Sequence, residues 1–549
     1  QGDDIGAQNT MIACAKHFAA YGAAQAGREY HTVDISERVL RDVYLPPFKS
    51  ALDAGVKTFM TSFNELDGIP ASGNKFLMTE ILRDEWGFDG FVVTDYTSIN
   101  EMIPHGSAKD EKEAGEQAMN AGVDMDMQGA VFYNHLKKSI KEGKIEIAQV
   151  DRAVARILKI KFELGLFDDP YRYGDAVREA EVILSEDHLE AARDVARKSI
   201  VLLKNDDELL PLSKDVKTLA IIGPLADSKV DMLGSWHGAG VAEDCVTLLQ
   251  GVRDIVHDKT NVVYVKGCET TGDSKDGFEE AIEAARSADI IILAIGESAW
   301  MSGEAASRAK LDLPGVQLDL AKELMKTGKP IVVVLMNGRP LAIPWISENA
   351  TSILETWFSG TQGGNAIADI LFGDYNPSGK LTVTFPRHVG QVPIYYCMKN
   401  TGRPMNAENK YTSKYLDMPN SPLYPFGFGL SYTTFEYSQV SVNTPEFSMA
   451  DMLSIEVTVT NTGAYDGEEV VQLYVKDLVG SVTRPVRELK GFKKIQLKTG
   501  ESQAVKFNLS TDDLAFYTAD MIFKAEPGEF EISVGGDSQT TNSIKVILK

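Results

Sequence analysis

An aspartate at the end of an apolar run is the strongest chemical feature of this sequence. Residues 90–96 are Gly-Phe-Val-Val-Thr-Asp-Tyr, a pattern that predicts a strand covered on both faces and followed at once by Asp95. In a parallel βα barrel, catalytic residues stand at the carboxyl ends of the strands. The alternative is that Asp95 caps the next helix, because Asp is a preferred N-cap residue. Neighbouring polar residues favour a catalytic carboxylate.

Lys16 and His17 end a second predicted strand, residues 12–17, and would stand on the same barrel face as Asp95. Both side chains offer donors for hydroxyl groups, so a polar binding site is as good an interpretation as a structural one. Met60 lies in a third predicted strand, residues 58–63. Its side chain could form an apolar platform for a ligand or simply belong to the core.

Two glutamates follow another apolar strand, residues 290–295. Glu297 comes directly after the strand, and Glu304 lies within the loop Ser302-Gly303-Glu304-Ala305. A loop that leaves the carboxyl end of a parallel strand is the usual ligand-binding place in an open α/β sheet. A solvated loop carboxylate is the ordinary alternative. Both glutamates are therefore candidate acids.

Motifs for phosphate binding are absent on inspection. The segment Asn376-Pro-Ser-Gly-Lys-Leu381 resembles the end of a P-loop, but Asp374 stands where that motif needs Gly. Gly234, Gly238 and Gly240 have the wrong spacing for a dinucleotide fingerprint. The sequence therefore supports neither a P-loop nor a dinucleotide-binding motif.

The elements that must position these residues fall into three regions. Residues 1–165 alternate short β-rich runs with amphipathic helical stretches, which indicates about four βα units. The predicted strands are 12–17, 58–63, 91–95 and 123–127, and the predicted helices are 36–54, 75–86, 109–121 and 150–164. Since an eight-unit barrel needs roughly 250 residues, we expect the C-terminal half of a barrel domain, in a chain that is incomplete at its start.

The rest of the chain predicts a second α/β domain and a β-sandwich. We assign residues 166–215 to a connector, 216–390 to an α/β sandwich with strands buried on both faces, and 391–440 to a Pro-, Gly- and Tyr-rich excursion. From about residue 455 the apolar residues alternate with polar ones, which predicts a small antiparallel β-sandwich, and we assign residues 441–549 to it.

Composition excludes several classes of partner. The 549 residues carry a formal charge of −24, with 79 acidic against 55 basic side chains, so a nucleic-acid backbone would be repelled. The sequence has no apolar run long enough to span a membrane. The four cysteines, Cys14, Cys245, Cys268 and Cys397, lack the spacing of a disulfide framework or a metal site. We expect a small neutral ligand, with neither nucleic acid nor membrane as partner.

Several ordered motifs together resemble glycoside hydrolase family 3, especially its periplasmic β-glucosidase type. The resemblance covers essentially the whole chain and rests on Lys-His-Phe at 16–18, Ser-Phe-Asn at 62–64, 90–96, Val-Leu-Met-Asn-Gly-Arg-Pro-Leu at 334–341, 373–381 and 424–433. It implies an α/β chain with a partial TIM-like β/α barrel, an α/β sandwich and a fibronectin type III-like β-sandwich. A periplasmic or secreted location is implied as well.

The resemblance also implies roles for individual residues. Asp95 becomes the nucleophile and Glu304 the acid/base, with Glu297 as the second choice. The residues implied to bind substrate are Lys16, His17, Arg28, Met60, Ser235 and Trp236. The family's upstream Asp and Arg, which grip sugar hydroxyls, would precede residue 1.

These roles describe a retaining exo-β-glucosidase that acts on small oligosaccharides or glycosides. One carboxylate attacks the anomeric carbon while the other protonates the leaving oxygen and later activates water, so no metal or organic cofactor is needed. A β-xylosidase or broad β-glycosidase is the main alternative, because a few pocket contacts set the sugar preference. A carbohydrate-binding relic is a further one, although it need keep neither Asp95 nor Glu304. Whether the chain forms a homo-oligomer stays open.

Overall fold

The computed structural model describes residues 1–549, which form two compact units, Gln1–Ile183 and Leu184–Lys549. Each unit has its own sheet and its own apolar core.

The first unit is built on a parallel sheet of three strands in the order β1-β2-β5. Its strands are β1 (Cys14–Phe18), β2 (Thr58–Thr61), β3 (Glu65–Leu66), β4 (Ile69–Pro70) and β5 (Phe91–Val93). The short strands β3 and β4 pair as a separate antiparallel hairpin. In the core of this unit, the Phe18 ring packs edge-to-face on the rings of Phe48 and Phe59, with centroid distances of 5.1 and 5.4 Å. The βα pattern of the sequence is confirmed.

Helices connect these strands as the amphipathic periodicity predicts. They are α1 (Glu37–Val39), α2 (Pro46–Asp53), α3 (Glu111–Ala121), α4 (Val131–Lys141), α5 (Ile147–Glu163) and α6 (Ala176–Val182), with π-helical turns at Leu40–Tyr44 and Phe76–Glu85. The predicted helix 36–54 is divided because Pro46 lacks the N–H that a continuous helix would use. Helix α3 begins after Asp110, whose carboxylate accepts from Glu113 N, and it ends at Gly122 in the left-handed region.

The fourth predicted strand, residues 123–127, is not a strand in the structure. It pairs with β5 only at an isolated bridge between Val93 and Met125. The reason is Asp124, whose carboxylate accepts the hydrogen bond of Val92 N that a ladder would use. Side chains of Asp compete in this way with sheet pairing.

The second unit contains a six-stranded sheet in the order β6-β11-β10-β9-β7-β8. Its strands are β6 (Val201–Asn205), β7 (Thr218–Ile222), β8 (Asn261–Val265), β9 (Ile290–Gly296), β10 (Ile331–Met336) and β11 (Ser352–Glu355). All are parallel except β6, which pairs antiparallel with β11. Strand β6 lies in the segment that we predicted as a connector, so part of that connector is an edge strand of the sheet.

Helices cover both faces of this sheet, and an apolar cluster lies under each layer. They are α7 (Glu186–Ser199), α8 (Lys229–Leu233), α9 (Leu248–Ile255), α10 (Phe278–Ser287), α11 (Gln317–Met325), α12 (Pro344–Asn349) and α13 (Gly363–Leu371). Strand β10 is buried along its whole length, as an apolar run without alternation predicts.

The C-terminal part of the second unit is a sandwich of two sheets around one core. Its strands, including a short β19–β20 hairpin, are β12 (Phe435–Tyr437), β13 (Ser441–Val442), β14 (Glu446–Phe447), β15 (Leu453–Asn461), β16 (Gly467–Asp477), β17 (Glu488–Leu497), β18 (Ser502–Leu509), β19 (Phe516–Tyr517), β20 (Phe523–Lys524), β21 (Gly528–Gly535) and β22 (Ser543–Leu548). Buried and half-buried residues alternate strictly along β15, as the sequence pattern predicts.

The segment that resembles a P-loop end joins the α/β layers to this sandwich. Ser378 Oγ donates to Glu468 Oε2 at 2.9 Å, and Lys380 Nζ lies 3.2 Å from Glu469 Oε2. Asn376 Nδ2 donates to the Asp466 carbonyl at 3.0 Å. The polar residues of this segment therefore hold two layers of the same unit together.

Candidate active site

Asp95 lies directly beyond β5 and is 8% exposed. Its Oδ1 accepts a hydrogen bond from the Tyr96 backbone N–H at 2.7 Å. Its Oδ2 accepts no hydrogen bond and lies 3.3 Å from Nε2 of His17. The backbone thus fixes Oδ1 of Asp95, whereas Oδ2 is buried and accepts no hydrogen bond.

Parallel register brings the predicted neighbours to the same sheet edge as Asp95. Met60 pairs with Val93 across β2 and β5, and its side chain is half-buried. His17 comes from the end of β1 and is half-buried, whereas Lys16 is exposed. The structure therefore gathers Asp95, His17 and Met60, with Lys16 at the margin.

A chain of buried hydroxyl groups supports the backbone of Asp95. Asp95 N–H donates to Thr61 Oγ1 at 3.4 Å, and Thr61 Oγ1 lies 2.8 Å from Ser72 Oγ. Ser72 Oγ lies 2.7 Å from Ser98 Oγ, and the Ser98 N–H donates back to the Asp95 carbonyl at 3.2 Å. We missed Ser72 and Ser98 from the sequence because isolated serines carry no pattern.

Arg28 is exposed in the segment after β1, where its guanidinium pairs with His31 three residues on. The structure shows this local pairing for Arg28, in place of a contact with Asp95. Its predicted role as a sugar ligand stays a prediction.

Asp124 anchors the strand that delivers Asp95. Its Oδ2 accepts from Val92 N at 2.8 Å and from Arg83 Nη2 at 2.6 Å, and its Oδ1 accepts from Arg156 Nη1 at 2.8 Å. The Asp124 side chain is only 2% exposed. The Asp124 carboxylate therefore links β5 to the π-helical segment Phe76–Glu85 and to α5.

Replacing Asp124 by Ala should destabilise the first unit by about 3–5 kcal/mol, because two guanidinium groups lose the partner of a buried ion pair. Urea unfolding followed by hydrogen exchange in the β5 peptide measures this loss. Asp89→Ala, which removes an exposed partner of Lys159, is the control and should change stability by less than about 1 kcal/mol. A loss below 1 kcal/mol for Asp124→Ala would contradict the anchor.

In the second unit, the two candidate glutamates have opposite surroundings. Glu297 is completely buried, and its carboxylate is paired with Arg308 Nη1 at 2.5 Å and with Arg339 Nε at 3.1 Å. Glu304 is exposed in the loop beyond β9. Glu297 is thus committed to two guanidinium groups, and the acid role of Glu304 stays a prediction.

Ser235 and Trp236 lie against the backbone beside Glu304. Ser235 Oγ donates to the Ser302 carbonyl at 2.6 Å. A Cβ at Gly303 would lie 2.7 Å from Ser235 Oγ and 2.9 Å from Trp236 Nε1, so only Gly fits there without a shift. The indole of Trp236 is 72% exposed. The structure therefore brings both residues to the Glu304 loop.

Glu355 is a second buried carboxylate of this unit. It is the last residue of β11 and lies at the carboxyl-terminal edge of the parallel strands, as Glu297 does. It accepts hydrogen bonds from Asn337 Nδ2 at 3.0 and 3.1 Å and from Trp357 N at 3.1 Å. Burial, which outweighs these hydrogen bonds, raises the pKa of Glu355 to about 8, and the nearby Glu297 charge acts in the same direction. Burial therefore favours the protonated, uncharged form of Glu355.

This raised pKa gives a pH-dependent stability. Between about pH 4.5 and 8 the unfolded chain releases the Glu355 proton while the folded chain keeps it, so stability falls as pH rises, by at most about 1.4 kcal/mol per unit. Glu355→Gln cannot titrate, and its stability relative to the wild type should rise steadily from pH 5 to pH 8. Urea unfolding followed by tryptophan fluorescence measures it, since four of the five tryptophans lie in this unit. The exposed Glu348→Gln is the control; parallel curves for Glu355→Gln and wild type would contradict the assignment.

No group of three or more His, Cys, Asp or Glu side chains is arranged to hold a metal ion. No helix has both the length and the apolar character needed to cross a bilayer.

Three family models match most of the chain. Residues 5–160 match the Glycosyl hydrolase family 3 N terminal domain, residues 200–432 match the Glycosyl hydrolase family 3 C-terminal domain, and residues 469–538 match a Fibronectin type III-like domain. These matches confirm the three architectures predicted from the sequence.

Individual relatives are similar over nearly the same span. A periplasmic beta-glucosidase of Salmonella typhimurium is 46% identical over 98% of this chain and 74% of its own length. A beta-xylosidase of Formosa agariphila is 42% identical over 98% of this chain and 76% of its own. The crystal structure of a beta-glucosidase from Listeria innocua in complex with isofagomine superposes with a TM-score of 0.96, at 42% identity, over 100% of this chain and 76% of that one.

Proposed function

The chain belongs to glycoside hydrolase family 3, and on that premise we propose that it is a retaining exo-acting β-glucosidase. It would release terminal non-reducing β-D-glucosyl residues from small oligosaccharides or glycosides. The observation that carries the proposal is the buried carboxylate of Asp95, which stands at the carboxyl end of a barrel strand with Oδ2 accepting no hydrogen bond.

In the first step, Asp95 attacks the anomeric carbon of the sugar. Oδ2 of the carboxylate forms a bond to that carbon as the bond to the leaving oxygen breaks. Oδ2 is suited to this role because Oδ1 is occupied by the Tyr96 N–H, which orients the carboxylate. The neighbouring His17 imidazole and the Lys16 ammonium supply donors for sugar hydroxyls.

Glu304 supplies the proton for the leaving oxygen in that step. In the second step the Glu304 carboxylate accepts a proton from water, and the water oxygen attacks the anomeric carbon. The bond between that carbon and Asp95 breaks, and the sugar is released with its configuration retained. Its exposed loop position is compatible with both transfers. Ser235 and Trp236 beside the loop, and Met60 and Arg28 in the first unit, are the proposed substrate contacts.

Two measurements test the proposal. Proton NMR of the hydrolysis of 4-nitrophenyl β-D-glucoside should show the β-anomer of glucose first, and kcat/KM for the glucoside should exceed that for the β-xyloside. First appearance of α-glucose would overturn the retaining mechanism. A clear preference for the xyloside would favour the β-xylosidase alternative, which the 42% identical beta-xylosidase supports. Sugar binding without turnover would favour the binding relic.

We further propose a periplasmic or secreted location, because the relative from Salmonella typhimurium is named as periplasmic. Cell fractionation with activity assays in the periplasmic, medium and cytoplasmic fractions tests it. Activity confined to the cytoplasmic fraction would contradict it.

A further inference from the structure

The loop that carries Glu304 is closed at its base by an ion pair. Glu297 directly follows β9, and Arg308 returns eleven residues later to place Nη1 2.5 Å from Glu297 Oε1. The second amino group of Arg308 donates to the Asp312 carbonyl at 2.9 Å. Because Glu297 has no exposed surface, this pair is shielded from water and holds both ends of residues 298–307 together.

Arg339 connects this base to the interior of the loop. It follows β10 in the motif Asn-Gly-Arg-Pro, and its Nε lies 3.1 Å from Glu297 Oε1. Its Nη2 donates to two loop carbonyls, those of Met301 and Ala306, the latter at 2.9 Å. A single planar guanidinium therefore bridges one buried carboxylate and two backbone positions, a task for which its fixed fork of donors is suited.

The two bridged carbonyls bracket Glu304, and the backbone between them is bent. Gly303 has a φ of 115° and Ala305 a φ of 57°, so left-handed residues stand on both sides of Glu304. Such a conformation is costly for alanine and persists where surrounding contacts determine it. Ser235 secures the Ser302 carbonyl, and Arg339 secures the carbonyls at 301 and 306.

The glycine of the Asn-Gly-Arg-Pro motif has a matching role. A Cβ at Gly338 would overlap the Ser302 hydroxyl, and the Gly338 N–H donates to Glu297 Oε2 at 3.4 Å. The motif thus lets β10 approach the loop closely enough for Arg339 to reach inside it.

We propose that Arg339 is a positioning residue for proton transfer by Glu304, acting through the carbonyls at 301 and 306 and through Glu297. This inference rests on the proposed function, in which Glu304 is the acid/base. The alternative is that Arg339 only neutralises the charge of Glu297. The two differ in one variant, because lysine keeps the charge but cannot bridge Glu297 and both carbonyls at once.

Arg339→Lys should therefore impair proton transfer selectively. We expect kcat/KM on cellobiose or methyl β-glucoside, whose leaving groups need a proton, to fall about 10- to 100-fold, as a misplacement of about 1 Å can cause. On 2,4-dinitrophenyl β-glucoside, whose leaving group departs unaided, kcat/KM reports only the first step and should change by less than about threefold. Hydrogen exchange in residues 298–307 should rise. Arg253→Lys, at an exposed position of the same unit, is the matched control.

A double-mutant cycle with Glu304→Gln separates the explanations. If Arg339 acts through Glu304, Arg339→Lys should cost nothing further once Glu304 is replaced. Equal losses on both substrates, or additive losses in the cycle, would overturn the inference while leaving the proposed function standing. A wild-type protein without β-glucosidase activity would instead overturn the proposed function. Arg308→Lys, which loosens only the base of the loop, gives a second test should Arg339→Lys not fold, and it should show the same selective loss.

Discussion

Asp95→Asn is expected to lower kcat by on the order of 10⁴-fold or more on every β-glucoside, whatever its leaving group. The amide has the size of the carboxylate and can still accept from the Tyr96 N–H, but it cannot form the glycosyl ester. The loss concerns the first bond-forming step, so activated aryl glucosides should be affected as severely as cellobiose. Steady-state kinetics on the two substrates measure it.

A smaller side chain sharpens this test. In Asp95→Ala, added azide can occupy the vacated space and attack the anomeric carbon once, so the expected product is α-glucosyl azide. The exposed Asp89→Asn is the control and should keep wild-type kinetics. Loss of less than about tenfold in Asp95→Asn, or a β-azide from Asp95→Ala, would contradict the nucleophile assignment.

Glu304→Gln is expected to have an effect that depends on the leaving group. Removing a general acid typically costs about 10²- to 10⁴-fold, so kcat/KM on cellobiose should fall within that range. The value for 2,4-dinitrophenyl β-glucoside should fall far less, because its phenolate leaves without a proton. Comparing kcat/KM across a series of aryl glucosides measures this dependence.

The matched control for this variant is Glu269→Gln, another exposed carboxylate of the same unit, which should leave both substrates unaffected. In Glu304→Ala, azide should yield β-glucosyl azide, because it attacks the intermediate already formed on Asp95. Equal losses on good and poor leaving groups would contradict the acid role of Glu304.

Much of the fold follows from local sequence patterns. The unalternated apolar run at 290–295 became β9, and part of the alternating region near the C-terminus became β15, because burial on two faces or one face sets the pattern. The strand predicted at 123–127 does not form, because the Asp124 side chain accepts the hydrogen bond of Val92 N that strand pairing would use. We did not predict the edge strand β6, because an apolar run before a loop does not show which strand it pairs with.

The site was predicted less completely than the fold. Asp95 and His17 could be found because they end predicted strands of one parallel sheet. Arg339 and Glu355 were not recognised, because their contacts join residues 42 and 18 positions away through the sheet rather than through a local motif. The signal for Arg339 was present in the Asn-Gly-Arg-Pro segment directly after a buried strand. Glu297 and Glu304 differ in burial, which spacing does not reveal.

The most direct test of the central claim is mass spectrometry of the protein after incubation with 2,4-dinitrophenyl 2-deoxy-2-fluoro-β-D-glucoside, which traps the covalent intermediate of a retaining enzyme. We predict one fluoroglucosyl group per chain, located by peptide mapping on Asp95 and absent from Asp95→Asn. A label on another residue, or an unlabelled protein, would contradict the assignment of Asp95 as the nucleophile of a retaining β-glucosidase.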